Sequence, residues 1–174
     1  MKEIWLPEKQ NAMILPEDVK FWLLKVKRLG LALSAQFESP SIKELATFEA
    51  TVPHRVAHML EPDETKARIR LIGHFCKDKP VVLARVVIPD HTYKKYQAIF
   101  DHLGNRSIGE TFLFRRDTIE RGDFYIGRLD AVECRQIFKQ HISKTLWGRM
   151  SVFTIDNHYP LSIEEYFCFL PVES

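Results

Sequence analysis

Two β-rich runs, Ala67 to Phe75 and Pro80 to Ile88, are separated only by Cys76-Lys77-Asp78-Lys79. So short a polar link between apolar, β-branched segments permits an antiparallel hairpin and excludes a parallel crossover, which needs a dozen or more residues. In the first run Ile69, Leu71, Gly73 and Phe75 alternate with Arg68, Arg70, Ile72 and His74. The pattern returns near the end of the chain, where Leu146 to Phe153 leads to a turn at Asp156-Asn157 and back through Pro160 to Pro171. On that return strand a period of two places Leu161, Ile163, Glu165, Phe167 and Phe169 on one face. One carboxylate thus lies in an apolar row, where lost hydration would favour the protonated form and raise its pKa towards the range of a general acid or base. Glu164, on the other face, reads as an ordinary solvent-facing acid.

Between the hairpins the period changes to that of helices. Pro16 with Glu17 and Asp18 suits a first helical turn. Val19, Trp22, Leu23 and Val26 then mark one face, and Gly30 is placed to stop the helix. A short second turn is expected over Ser34 to Glu38, ended by Ser39-Pro40, while Ile42 to Val52 fits either helix or strand. Tyr93, Tyr96, Phe100 and Leu103 mark another helix face, terminated by Gly104, and a strand over Phe124 to Gly127 precedes a helix over Ala131 to Ile142. Hairpins with helices inserted between them argue for an α+β fold with an antiparallel sheet. No Pro- or Gly-rich linker divides the chain, so residues 1–174 read as one domain.

A net charge of +2, from 25 basic and 23 acidic residues, gives no electrostatic argument for nucleic acid. Cys76, Cys134 and Cys168 are too few and too scattered for a disulfide framework or a zinc site, and read as the reduced thiols of a cytoplasmic protein. No segment approaches the roughly 20 apolar residues of a membrane span, and Met1-Lys2-Glu3-Ile4 opens no signal peptide. The histidines lack metal-ligand spacing, and no phosphate-binding glycine loop is present. Neither membrane, nucleic acid nor metal is therefore expected, and no obligate protein partner is predicted.

Three further features can carry chemistry. Arg70 lies within a strand, and arginine keeps its charge and its planar fork of donors when buried. Leu103-Gly104-Asn105-Arg106-Ser107-Ile108-Gly109 brackets a polar stretch with glycines, which permit positive φ and close approach to a ligand. Arg149 follows Trp147-Gly148 at the start of the last hairpin.

Leu146-Trp147-Gly148-Arg149, followed by a β-run, Pro160-Leu161 and Glu165, resembles the carboxyl-terminal signature of the chorismate pyruvate-lyases, the family that makes 4-hydroxybenzoate. The Arg70 strand, the hairpin ending Arg85-Val86-Val87-Ile88-Pro89, the glycine-bracketed loop and Leu31 to Glu38 follow the same family in order, so the resemblance spans roughly Trp22 to Phe167. It implies a single antiparallel sheet of about six strands with helices packed beside it, and makes Ile42 to Val52 a strand. It also implies conversion of chorismate to 4-hydroxybenzoate and pyruvate without a cofactor. Arg70 would stabilise the departing enolpyruvyl oxygen, more than Arg68 two residues away, and Glu165 would handle the proton. Two flaps would cover the ring, with backbone amides near Leu33 and Ile108 meeting its carboxylate, and Arg149 would bind substrate or brace the site. The alternative is a non-catalytic, effector-sensing module, since one group of bacterial transcription regulators uses a similar fold.

Overall fold

The computed structural model describes residues 5–8, 14–60 and 65–173. Within them the chain forms one antiparallel sheet of eight strands: β1 (Leu6–Pro7), β2 (Ser41–Thr51), β3 (Lys66–Cys76), β4 (Lys79–Pro89), β5 (Ile119–Arg121), β6 (Tyr125–Leu129), β7 (Leu146–Ile155) and β8 (Tyr159–Pro171). Their order across the sheet is β1-β6-β7-β8-β4-β3-β2, with β5 on the same edge of β7 as β6. The six longer strands are those the sequence leads one to expect, and the short β1 and β5 extend the count to eight.

Both hairpins form as their alternation requires. Lys77 and Asp78 take positive φ in the β3–β4 turn, and Asp156 and Asn157 do so between β7 and β8. The two hairpins then join, with β4 residues 82–87 pairing with β8 residues 167–162. Chain segments distant in sequence thereby meet at the centre of the sheet.

The helices differ from the periodic reading at their ends. Helix α1 (Glu17–Lys20) continues as a π-helical turn, Phe21–Lys25, in which Val26 N–H donates to Phe21 O over 3.1 Å. Val26 is already extended, so the stop comes before Gly30, which lies inside α2 (Leu29–Gln36). Helix α3 (His54–Ala57) follows β2. The helix expected over Tyr93 to Leu103 breaks at Tyr96, where φ is −119°, into α4 (Asp90–Lys95) and α5 (Gln97–Phe100). Helix α6 (Ala131–Phe138) is capped by the Asp130 carboxylate, which accepts from Glu133 N–H, and ends at a left-handed Lys139 rather than reaching Ile142. No helix among the described residues is long and apolar enough to cross a membrane.

Both faces of the sheet are covered. On one, α1, α2 and the segment from α4 to Phe114 pack over Val82, Val86, Ile88, Leu161, Ile163 and Phe167. On the other, Trp5, α3 and α6 pack over Ile69, Leu71, Leu83, Met150 and Tyr166. Glu164 therefore does not face solvent. It is fully buried on that second face, where its oxygens accept from Arg85 Nε (2.5 Å) and Nη2 (2.8 Å) and from Tyr166 OH (2.7 Å). A buried carboxylate needs such partners, and the β4–β8 register supplies Arg85 directly opposite.

Two glycines separate packing from backbone effects. A Cβ on Gly148 would stand 2.5 Å from the Tyr166 ring, whereas one on Gly30 would meet nothing within 4 Å. Gly148→Ala is expected to cost about 1–3 kcal/mol by overpacking. Gly30→Ala should be neutral or gain up to about 1 kcal/mol, from helix propensity and reduced unfolded-state freedom. Urea unfolding of both variants measures the contrast, and a costly Gly30→Ala would contradict the packing described.

Candidate active site

The β7–β8 register sets Arg149 directly across from Glu165, and the β4–β8 register sets Ala84 on Glu165's other side. Both charged side chains point to the face covered by α1, α2 and the second helical segment, and both are buried. Arg149 Nε donates to Glu165 Oε1 at 3.0 Å. Its Nη1 donates to the carbonyls of Trp22 (3.0 Å) and Val26 (2.5 Å) at the end of the π-helical turn. One guanidinium thus fastens the covering helix to the carboxylate at the middle of the sheet. Its Nη2 is buried without a hydrogen-bond partner.

Arg121, on the three-residue β5, approaches the same carboxylate, with Nη2 3.6 Å from Glu165 Oε1. It is anchored by donating to Lys27 O (2.6 Å) and Ser151 Oγ (3.1 Å), and lies over the Phe124 ring. Burial pulls its pKa down to about 10, against the pull of Glu165. For Glu165 burial alone would raise the pKa, but Arg149 and Arg121 together outweigh it and hold the carboxyl below its ordinary value. The raised pKa expected from the apolar row is therefore reversed, because the row ignores what stands on the neighbouring strands.

These groups line a cavity with about 590 Å³ of empty space, its open mouth included. Its floor is the apolar surface of Ile72, Ala84, Val86, Phe153 and Ile163, and Glu165, Arg149, Arg121 and His74 supply polar points. Two segments roof it. One runs through Lys27, Leu29 and Gly30, held down by Trp22 against Phe167 and Phe169, with ring centroids 6.2 and 4.9 Å apart. The other runs from Ser107 to Phe114 and contains a second π-helical turn, Gly109–Leu113. Such turns occur often at functional sites. Arg28 and Glu110 form a bidentate ion pair between the two roofs, with Arg28 Nε 3.1 Å from Glu110 Oε1.

The remaining candidates fall in different places. Ile108 lines the cavity, with its side chain in the core beside Phe112 and Ile163. Leu33 does not: it is one turn further along α2, buried in the cluster of Trp22 and Phe167, and the cavity is met by Leu29 and Gly30 instead. Arg70 shares the sheet face with Glu165 but opens onto an adjoining depression beside Glu44, Thr47, Tyr93 and Asp101. Its Nη2 donates to the carbonyls of Gly104 and Arg106, both at 2.8 Å, so it braces the loop that leads to Ile108. Arg70 Nε lies 3.6 Å from Glu44, and Nε and Nη1 have no hydrogen-bond partner. Burial lowers its pKa, with Glu44 opposing. Gly104 takes φ +54° in open space, as a loop glycine should. A Cβ on Gly109 would stand 2.6 Å from the ring of the half-exposed Phe114.

Arg121 and His74 escaped the sequence reading as site residues. Arg121 sits in a strand too short to show a period, and His74 was visible only as one position of an alternation. No group of three or more His, Cys, Asp or Glu side chains among the described residues is placed to hold a metal ion.

Replacing Arg149 tests this geometry directly. Arg149→Met would leave Glu165 with only the more distant Arg121 and would strip the carbonyls of Trp22 and Val26 of their donor. The expected loss is about 3–5 kcal/mol in urea unfolding, the scale for breaking a buried pair. Arg149→Lys should recover only part, because an ammonium lacks the planar fork that spans both partners. Wild-type stability of Arg149→Met would refute the role of the pair.

A protein-family model described as chorismate lyase matches residues 1–171. A probable chorismate pyruvate-lyase of Psychromonas ingrahamii is 33% identical over 159 residues, covering 87% of this chain and 82% of its own. That of Hydrogenovibrio crunogenus is 30% identical over 161 residues, with the same coverage of 87% and 82%. Among solved structures, the effector domain of PhnF from Mycobacterium smegmatis superposes with a TM-score of 0.54 at 13% identity, covering 80% of this chain and 87% of that one. The C-terminal domain of the histidine utilization repressor from Pseudomonas syringae gives 0.56 at 12% identity, over 78% and 96%. These two likenesses concern the fold alone. With the family model matched over nearly its whole length and relatives of 30% identity and above, this chain belongs to the chorismate lyase family.

Proposed function

We propose that the chain is a chorismate pyruvate-lyase, converting chorismate to 4-hydroxybenzoate and pyruvate in the cytoplasm. The observation that carries this reading is the cavity itself: an apolar floor with an ionised carboxylate and two guanidinium groups in its wall. Chorismate is a dianionic ring, and an unpartnered buried donor such as Arg149 Nη2 is satisfied when an anionic oxygen enters. Loss of the enolpyruvyl ether and one ring proton makes the ring aromatic, so the driving force is large. The protein's task is then to place charge and to exclude water.

In this reading Glu165 meets the ring ionised, able to accept a proton or a hydrogen bond but not to donate one. Nε and Nη1 of Arg70, which make no hydrogen bond, would be the donors for the oxygen that leaves, while its Nη2 anchors the second roof. A backbone amide near Ile108 would hold the ring carboxylate; Leu33, which lies outside the cavity, would not. The Arg28–Glu110 pair between the roofs favours a closed cavity and slow exit of product. No metal or organic cofactor enters this account.

The second reading is a small-molecule-binding module without turnover, favoured by the likeness to solved effector domains. One experiment separates the two. Purified protein incubated with chorismate should release 4-hydroxybenzoate and pyruvate in equal amounts, whereas ligand binding without either product would favour the module. Arg70→Ala and Glu165→Gln are each expected to lower kcat by about 10²-fold or more. Arg68→Ala should do much less, since its guanidinium lies over the Tyr93 ring, 4.5 Å from the centroid. An essential Arg68 with a dispensable Arg70 would contradict the assignment.

A further inference from the structure

The pair of arginines that fixes Glu165 leaves a chemical gap. A carboxylate held ionised by Arg149 at 3.0 Å and Arg121 at 3.6 Å is a weak base, because both contacts favour the form without a proton. Aromatising the ring requires something to take a proton from carbon. Of the other titratable groups that line the cavity, Glu110 is ion-paired with Arg28 and Lys27 is an amine that donates to Leu24 O, which leaves His74.

His74 lies on β3, on the cavity face, two residues beyond Ile72, which shares the cross-strand row of Ala84 and Glu165. It lines the cavity with Glu165, is only partly exposed, and makes no hydrogen bond among the described residues. An imidazole enclosed by protein yet left without a partner is free to address a ligand. The charged groups around it are Glu165 and Arg149 from the central strands, Arg121 from β5, Arg70 on its own strand, and Lys27 and Glu110 from the two roofs.

We propose that His74 is the base of the lyase reaction, and that Glu165 instead orients the ring by accepting a hydrogen bond from its hydroxyl. This rests on the lyase reading and completes it. One imidazole nitrogen takes the hydrogen from the ring carbon that bears the hydroxyl. The electron pair of that C–H bond becomes the third double bond of the ring, and the neighbouring carbon–oxygen ether bond breaks, its electrons leaving on the enolpyruvyl oxygen towards a guanidinium. The enolpyruvate then takes a proton on its methylene carbon to become pyruvate, which returns the imidazole to its starting form. Atoms and charge balance with no further reactant. Burial keeps the free imidazole in the unprotonated state the step requires, since it lowers the pKa of His74 against the pull of Glu165, and Arg70 adds to the lowering.

The test is single-turnover formation of 4-hydroxybenzoate from chorismate across pH, with product affinity measured alongside. In the wild type the rate should fall as pH drops through an apparent pKa below 6.5, the ordinary histidine value. His74→Gln and His74→Ala should each lose about 10²-fold or more in single-turnover rate and lose that acid limb, while 4-hydroxybenzoate still binds within a few fold of the wild type. Retained binding shows that the variant is folded and the cavity intact. Wild-type turnover with either variant keeping its rate and its acid limb would overturn the role of His74 alone. A wild-type protein that binds 4-hydroxybenzoate but never converts chorismate would overturn the lyase reading and this proposal together.

Discussion

The structure turns on one buried guanidinium. Arg149 has no solvent exposure, and its donors are divided between a sheet carboxylate and the backbone carbonyls of a covering helix. Desolvating an arginine is expensive unless hydrogen bonds replace its water, so the chain is driven to supply them from both sides. That requirement places the π-helical turn that follows α1 over the centre of the sheet, where the segment after it closes one side of the cavity. Next to it Gly148 makes room for Tyr166, which reaches Glu164 on the opposite face. Adjacent residues of β7 thus serve the two faces in turn.

Those faces solve the burial of charge differently. Behind the sheet, Glu164 is fully matched: Arg85 embraces both its oxygens and Tyr166 adds a third donor, and all three side chains are consumed by one another. In front, the charges are incompletely matched. Glu165 has two guanidinium partners, yet Arg149 Nη2 and Arg70 Nε and Nη1 make no hydrogen bond. A satisfied network stabilises a fold, and donors left over in a cavity are what an incoming ligand can satisfy. In the proposed function, the two neighbouring glutamates on β8 thus divide between structure and site.

Much of this was legible in the sequence, for physical reasons that also mark where legibility ends. Alternation revealed both hairpins and placed Glu165 among apolar neighbours, because a period of two depends only on the strand itself. The same alternation misread Glu164, since what covers a face is decided elsewhere, here by α6 and Trp5. The direction of the Glu165 shift depends on register: Arg149 stands sixteen residues away in sequence but directly opposite in the hairpin, and Arg121 reaches in from β5. Gly30 reads as a helix stop because the hydrogen bond that closes the π-helical turn after α1, Val26 to Phe21, has no sequence mark. Arg70 and Glu165 were singled out largely through resemblance. The structure sets them on one face but in adjoining depressions, with His74 electrostatically coupled to both.

The central claim is that neighbouring arginines, rather than the apolar row, decide the charge of Glu165. Carbon-13 NMR of protein labelled at glutamate side-chain carboxyls, with the resonance assigned by its loss in Glu165→Gln, reads that charge directly. The account predicts a Glu165 carboxyl that stays ionised through the neutral range and titrates below the ordinary glutamate value of about 4.3. A carboxyl that takes up its proton above that value would show that burial wins over Arg149 and Arg121, and would contradict the account.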